Sequence, residues 1–216
     1  MKKIMFNDKY GLTQAVLEGR KTMTRRIATA LNHQNITDIS EWGVDNNGNA
    51  MLLITYDTGL EKDVYPHFQI GEEVAVSQAY SSIFDELEAN VSLQEARPIL
   101  EQSESAGWDN KMFVKASLML HRICITDIKV ERLQDISEED AMREGVFKYD
   151  KPPLHHEADM FAPWAPHVRP YKFDSDNLVY RCTARYAFAY LIDKISGGGT
   201  WNRNPWVFAY EFEFVK

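Results

Sequence analysis

Cysteine is nearly absent from this chain. Two thiols in 216 residues, Cys124 and Cys182, cannot build a disulfide framework, and their spacing is not that of a metal site. Cys124 lies between two isoleucines and Cys182 opens an apolar-faced helical segment, so both read as buried, inert core thiols. Long apolar runs are missing too, and no stretch approaches the length of a membrane span. Met1-Lys2-Lys3 leads into a strand-like run and not a signal peptide, so the expectation is a cytoplasmic protein with no membrane partner. Positive charge is in deficit: 24 Lys and Arg against 32 Asp and Glu give a net charge of −8. Proteins that coat long nucleic acids non-specifically depend on surplus Lys and Arg, so that class is excluded. A nucleoside, or an RNA read by one local basic pocket, is not.

What is present is an ordinary globular composition, 44% hydrophobic and 26% charged, in a chain long enough for one well-buried domain. Lys3 to Phe6 reads as a short strand, with Asn7 or Asp8 as N-cap of a helix carrying Leu12, Ala15, Val16 and Leu17. Strands are expected at Met51 to Tyr56 and from Gly71 through Val74 and Val76. Residues 81–110 are polar and acidic, an insertion with one helix at Leu93 to Leu100 that Pro98 limits. Ile123 and Ile125 are out of phase with Ile128 and Val130, so all four point inward only if the strand bulges near Thr126-Asp127. Ser137 begins a short helix as N-cap, and Gly145 ends it. Glu144 in its last turn is misplaced against the negative helix end unless it is solvated or a lysine or arginine meets it. Residues 147–178 form a second, proline-rich insertion. A helix over Cys182 to Ile195 and a last strand from Trp206 to Val215, with Phe208, Tyr210, Phe212 and Phe214 on one face, complete the chain. Strands and helices alternate too unevenly for a doubly wound sheet. The pattern is that of an α+β domain on a closed or nearly closed sheet.

The chemistry concentrates in Gly19-Arg20-Lys21-Thr22-Met23-Thr24-Arg25-Arg26. Gly19 can take the left-handed conformation that ends a helix. Lys21, Thr24 and Arg26 then leave that end together, a set able to bind an anion or activate a nucleophile, although basic residues there also simply complement the helix dipole. His155, His156 and His167 lie on the proline-rich insertion without helical pairing, so no metal is expected. Gly197 to Gly199 lacks the Lys-Ser or Lys-Thr of a phosphate cradle.

Four segments together resemble the ASCH domain family in its phage and bacterial form. Gly19, Lys21 and Arg26 match its signature of a Gly, a Lys two on and an Arg five after that. Ile70-Gly71-Glu72-Glu73-Val74 resembles its glycine-led strand, Val130 to Ser137 through Glu144-Gly145-Val146 its strand-to-helix passage, and Asn204-Pro205-Trp206-Val207 through Phe212 its terminal strand. The resemblance implies one domain over 1–216 with a PUA-like β-barrel, flanking helices, two loop insertions and a cleft suited to RNA or a nucleoside. One branch, the N4-acetylcytidine amidohydrolases, uses a lysine, a threonine and a glutamate. By motif position these are Lys21, Thr24 and Glu144 as catalytic residues, with Arg25 and Arg26 binding substrate and no cofactor. The chain departs from the family at Ser77-Gln78, where many members carry an Arg-Glu pair, which removes charge from the expected cleft wall. The alternatives are an RNA-binding module without chemistry, with Trp42, Tyr80 or Trp164 either stacking on bases or packing in the core, and a ribonuclease.

Overall fold

The computed structural model describes residues 1–40, 42–90, 93–148, 171–172 and 183–215. Strands β1 (Lys2–Ile4), β2 (Met23–Ile27), β7 (Glu73–Val76), β8 (Arg122–Arg132) and β11 (Trp206–Val215) form one sheet in the order β1-β7-β8-β11-β2. Only β1 and β7 run parallel. A second sheet holds β3 (Ile36–Ile39), β5 (Ala50–Tyr56), β4 (Gly43–Val44) and β6 (Glu61–Val64), and β9 (Phe147–Lys148) pairs with β10 (Tyr171–Lys172). Six α-helices among the described residues complete the mixed α+β architecture: α1 (Leu12–Leu17), α2 (Tyr80–Asn90), α3 (Leu93–Leu100), α4 (Glu138–Arg143), α5 (Ala184–Ser196) and α6 (Thr200–Arg203). No helix among the described residues is long and apolar enough to cross a membrane.

The long β8–β11 pair is the spine, and the expected bulge is there. Glu211 opposes Asp127 and Phe212 opposes Ile125, which leaves Thr126 unpaired. That extra residue restores the phase, so Ile123, Ile125 and Ile128 are all buried. On β11 the inward face is Phe208, Tyr210 and Phe212, while Phe214 at the end of the strand is exposed and packs on His121.

Two expectations change. Neither Asn7 nor Asp8 caps α1 with its side chain. A 3-10 turn over Asp8–Tyr10 and Gly11, at φ 64°, come first, and the Asp8 carboxylate is taken by Thr13 and Lys111. The 81–110 insertion carries two helices, α2 and α3, where one was expected. They have a core of their own built on Tyr80, Ile83, Leu87 and Ile99. Cys124 is free and partly buried. Cys182, Trp164, the histidines at 155, 156 and 167, and nearly all of the 147–178 insertion lie outside the described residues.

Gly145, just beyond the end of α4, packs against α1. Its φ is 101°, and a Cβ there would stand 3.2 Å from Leu12 and 3.6 Å from the Lys21 side chain. Gly145→Ala is therefore expected to lower the stability by about 1–3 kcal/mol, read as a lower denaturant midpoint at unchanged slope.

Candidate active site

Lys21 enters the interior because α1 is sealed behind it. Gly19 adopts φ 72°, and the amides of Arg20 and Lys21 both donate to the Ala15 carbonyl, at 2.8 and 2.9 Å. The chain then turns into β2, anchored by Thr22, whose amide donates to the Arg143 carbonyl at the end of α4. From the other side, Ser137 caps α4 by accepting from the Asp140 amide at 3.0 Å, and Glu144 closes the helix. The two helix ends thus place Lys21 against Glu144.

The Lys21 ammonium donates to Glu144 Oε2 at 2.6 Å, to the Glu144 carbonyl at 2.8 Å and to the Met23 carbonyl at 2.7 Å. All three donors are satisfied. Lys21 is only 2% exposed and Glu144 4%. The carboxylate that looked misplaced at a helix end has the partner it required, and Lys21 also supplies the cation that the helix C-terminus favours. Burial holds the Lys21 ammonium below the ordinary lysine value. Glu144 pulls in the opposite direction, and Arg26 and Arg25 add to the lowering.

Arg25 is turned away from solvent into the same cluster. Its guanidinium donates to Glu131 at 2.7 Å, to Asp140 at 2.9 Å and to Glu144 Oε1 at 3.2 Å, with the side chain 0% exposed. It stands in the wall as the second anchor of Glu144. Arg26, on the opposite face of β2, is exposed and donates to the Met5 carbonyl at 2.6 Å, which links β2 to the end of β1. The Phe6 ring lies 5.7 Å from Lys21 Nζ and 5.8 Å from the Arg26 guanidinium.

These groups line one cavity of about 460 Å³. Its polar wall is Lys21, Thr24, Arg26 and Glu144, with Arg25 behind, and its apolar wall is Phe6 with Phe188, Leu191 and Ile192 of α5. The size suits a nucleoside. Thr24 is buried, and its hydroxyl makes no hydrogen bond among the described residues. All five residues expected from sequence therefore border the same space. Phe6 and the α5 face were not expected there, because their apolar pattern is that of any core. Glu131 and Asp140 carried no signal beyond being acidic.

Other expectations fall away from the cavity. Ser77 and Gln78 do not line it. Both are buried beyond β7, where the Gln78 backbone N–H donates to Met119 Sδ at 3.4 Å. Tyr80 is 1% exposed inside the insertion's core and cannot stack on a base. Trp42 is half-buried on Phe208, with ring centroids 6.3 Å apart. No cluster of metal-ligating residues occurs among the described residues.

No protein-family model, no curated protein and no solved structure matches this chain. The function must be read from the side chains themselves. A buried ion pair adds little net stability over an apolar replacement, so stability alone does not account for this cluster.

Removing Glu144 leaves Lys21 as a buried ammonium with carbonyl partners only, whereas removing Lys21 leaves Glu144 still paired with Arg25. Glu144→Gln is therefore expected to cost about 3–5 kcal/mol of stability and Lys21→Met clearly less, by urea denaturation. Equal losses would contradict this ordering.

Proposed function

We propose that this protein hydrolyses the amide of a modified nucleoside of the N4-acetylcytidine kind, with Thr24 as nucleophile, Lys21 as base and Glu144 as the group that orients Lys21. One observation carries the reading. A buried lysine, held below its ordinary pKa and fixed by a carboxylate, shares a nucleoside-sized cavity with a threonine hydroxyl that no described residue hydrogen-bonds.

The ASCH relationship and the PUA-like barrel are part of the same proposal. In support, Lys21 and Glu144, matched to family motifs 123 residues apart, meet at 2.6 Å. The ends of the five-stranded sheet, β1 and β2, are drawn together by the Arg26–Met5 hydrogen bond, as a nearly closed barrel requires.

The chemistry follows from the donors. As an ammonium, Lys21 has no lone pair and all its N–H groups are used. Once neutral, it keeps an N–H bond to Glu144 Oε2, and rotation about Cε–Nζ turns the lone pair from a carbonyl oxygen toward the Thr24 proton. The Thr24 oxygen attacks the acyl carbon, and the amide oxygen becomes an oxyanion that the remaining N–H groups of Arg26 stabilise. The carbon–nitrogen bond then breaks, Lys21 returns its proton to the leaving amine, and water hydrolyses the acyl-threonine to release acetate. Arg25, directed at Glu131, Asp140 and Glu144, holds Glu144 in place.

Purified protein is expected to convert N4-acetylcytidine to cytidine and acetate, and Lys21→Met to lower the turnover by about 10²–10⁴-fold. Thr24→Val should abolish it. Full turnover in either variant, or none in the wild type, removes the proposal. Because the base is the deprotonated amine, turnover should rise with pH and level off with a midpoint below the ordinary lysine value of 10.5. A midpoint at or above that value would reject Lys21 as the base.

A further inference from the structure

A larger cavity, of about 790 Å³, lies outside this site, between β3 and the Ile128–Arg132 stretch of β8. Its floor is apolar, formed by Leu52, Ile128 and Val130. Its rim is different in kind. The Arg132 guanidinium stands over the Trp206 ring at 4.3 Å and is fixed by donating to the Asn204 carbonyl at 3.2 Å. His33 lies across the opening. Asp38 is the one acid on the lining, so in a chain of net charge −8 this groove is a local exception.

The strand register places this rim next to the first cavity. Arg26 pairs with Phe208, and Phe208 pairs with Val130, while Trp206 pairs with Arg132. Paired residues share a face of the sheet, so Thr24, Arg26, Trp206 and Arg132 all project from one side. Trp206 is two residues from Phe208 on β11, which makes it the diagonal neighbour of Arg26, about 7 Å away. Arg26, on the wall of the Lys21 cavity, thus stands on the same face of the sheet as the Trp206–Arg132 stack.

A guanidinium laid on an indole is a flat, cationic platform. Unpaired bases stack on such surfaces whatever their sequence, and neighbouring ammonium groups take the phosphates. A single nucleoside in the first cavity leaves the platform unused. A base within a strand extends its neighbours along Arg26 toward it.

From this geometry we infer that the groove between β3 and β8 is a second subsite, which holds nucleotides flanking the base in the Lys21 cavity. Its ligand is a single-stranded nucleic acid, with a base stacked on the Trp206–Arg132 pair and the remaining N–H groups of Arg132 facing phosphate. The placement of the flanking nucleotides rests on the proposed reading of the Lys21 cavity. The binding itself is measurable without it.

The test is fluorescence anisotropy of a short labelled single strand with no acetylated base, as RNA and as DNA, added to the full chain at low salt. The wild type should bind, and comparison of the two strands identifies the sugar it prefers. Trp206→Ala should weaken binding about tenfold, and Trp206→Phe, which keeps an aromatic face, should restore most of it. Arg132→Gln should weaken binding and reduce the slope of log affinity against log salt by about 0.7. No binding of either strand at low salt, an unchanged slope in Arg132→Gln, or Trp206→Phe as weak as Trp206→Ala overturns the inference. Loss of affinity in these variants without acetate release from N4-acetylcytidine would keep the groove as a binding site and reject the amidohydrolase reading alone.

Discussion

The Glu144 carboxylate is the point where distant parts of the chain are tied together. One oxygen takes Lys21, which arrives from behind α1, and the other takes Arg25 from β2. Arg25 in turn reaches Glu131 on β8 and Asp140 on α4. Helix α4, strand β2 and the end of α1 are thus held by charge-assisted hydrogen bonds directed at one buried spot. The geometry works only because the backbone turns sharply on either side of it, at Gly19 with φ 72° and at Gly145 with φ 101°. A side chain at Gly145 would press on Leu12 and the stem of Lys21, the residue the arrangement exists to place.

The two cations on Glu144 are not equivalent. An arginine keeps its proton in a protein, whereas a buried lysine releases it readily. Arg25 therefore stays a charged partner of Glu144 whichever state Lys21 is in. With it, Glu144 is held in place by a hydrogen bond that does not depend on the Lys21 proton. That asymmetry separates this cluster from an ordinary two-member ion pair.

Features written in local sequence were legible. Gly19 at a helix end, Ser137 as a cap, the phase slip across Thr126 and the unmatched charge of Glu144 each express a rule that acts within a few residues. Lys21, Thr24 and Glu144 came together as a set only through resemblance to a family pattern, because nothing in the spacing of Lys21 and Glu144 says that they meet. Arg25 shows the limit from the other side. A basic residue next to Arg26 looks like a second substrate contact, yet alternation along β2 sends the two guanidiniums to opposite faces, one to three carboxylates and one to the rim. Phe6 and the apolar face of α5 could not be told from core, since facing a cavity and facing another side chain require the same residue types. Trp206 and Arg132 are 74 positions apart and become a pair only through the register of β8 and β11.

The 81–110 insertion, expected only to cover the core, is fastened to the wall of the site. Just beyond it, Lys111 donates to the Phe6 carbonyl, to Asp8 at 2.6 Å and to Thr13 at 3.0 Å. Lys3, on β1, reaches the other way and donates to the Met112 and Val114 carbonyls at 2.7 Å each. Phe6 lies between these two clamps, and its ring faces both Lys21 and Arg26. The Phe6 ring shields the ammonium from water and so contributes to the burial that lowers the Lys21 pKa. Its backbone is fixed not by the sheet strands alone but by the segment that follows α2 and α3. The protonation behaviour of the buried lysine therefore depends on a part of the chain that never touches it.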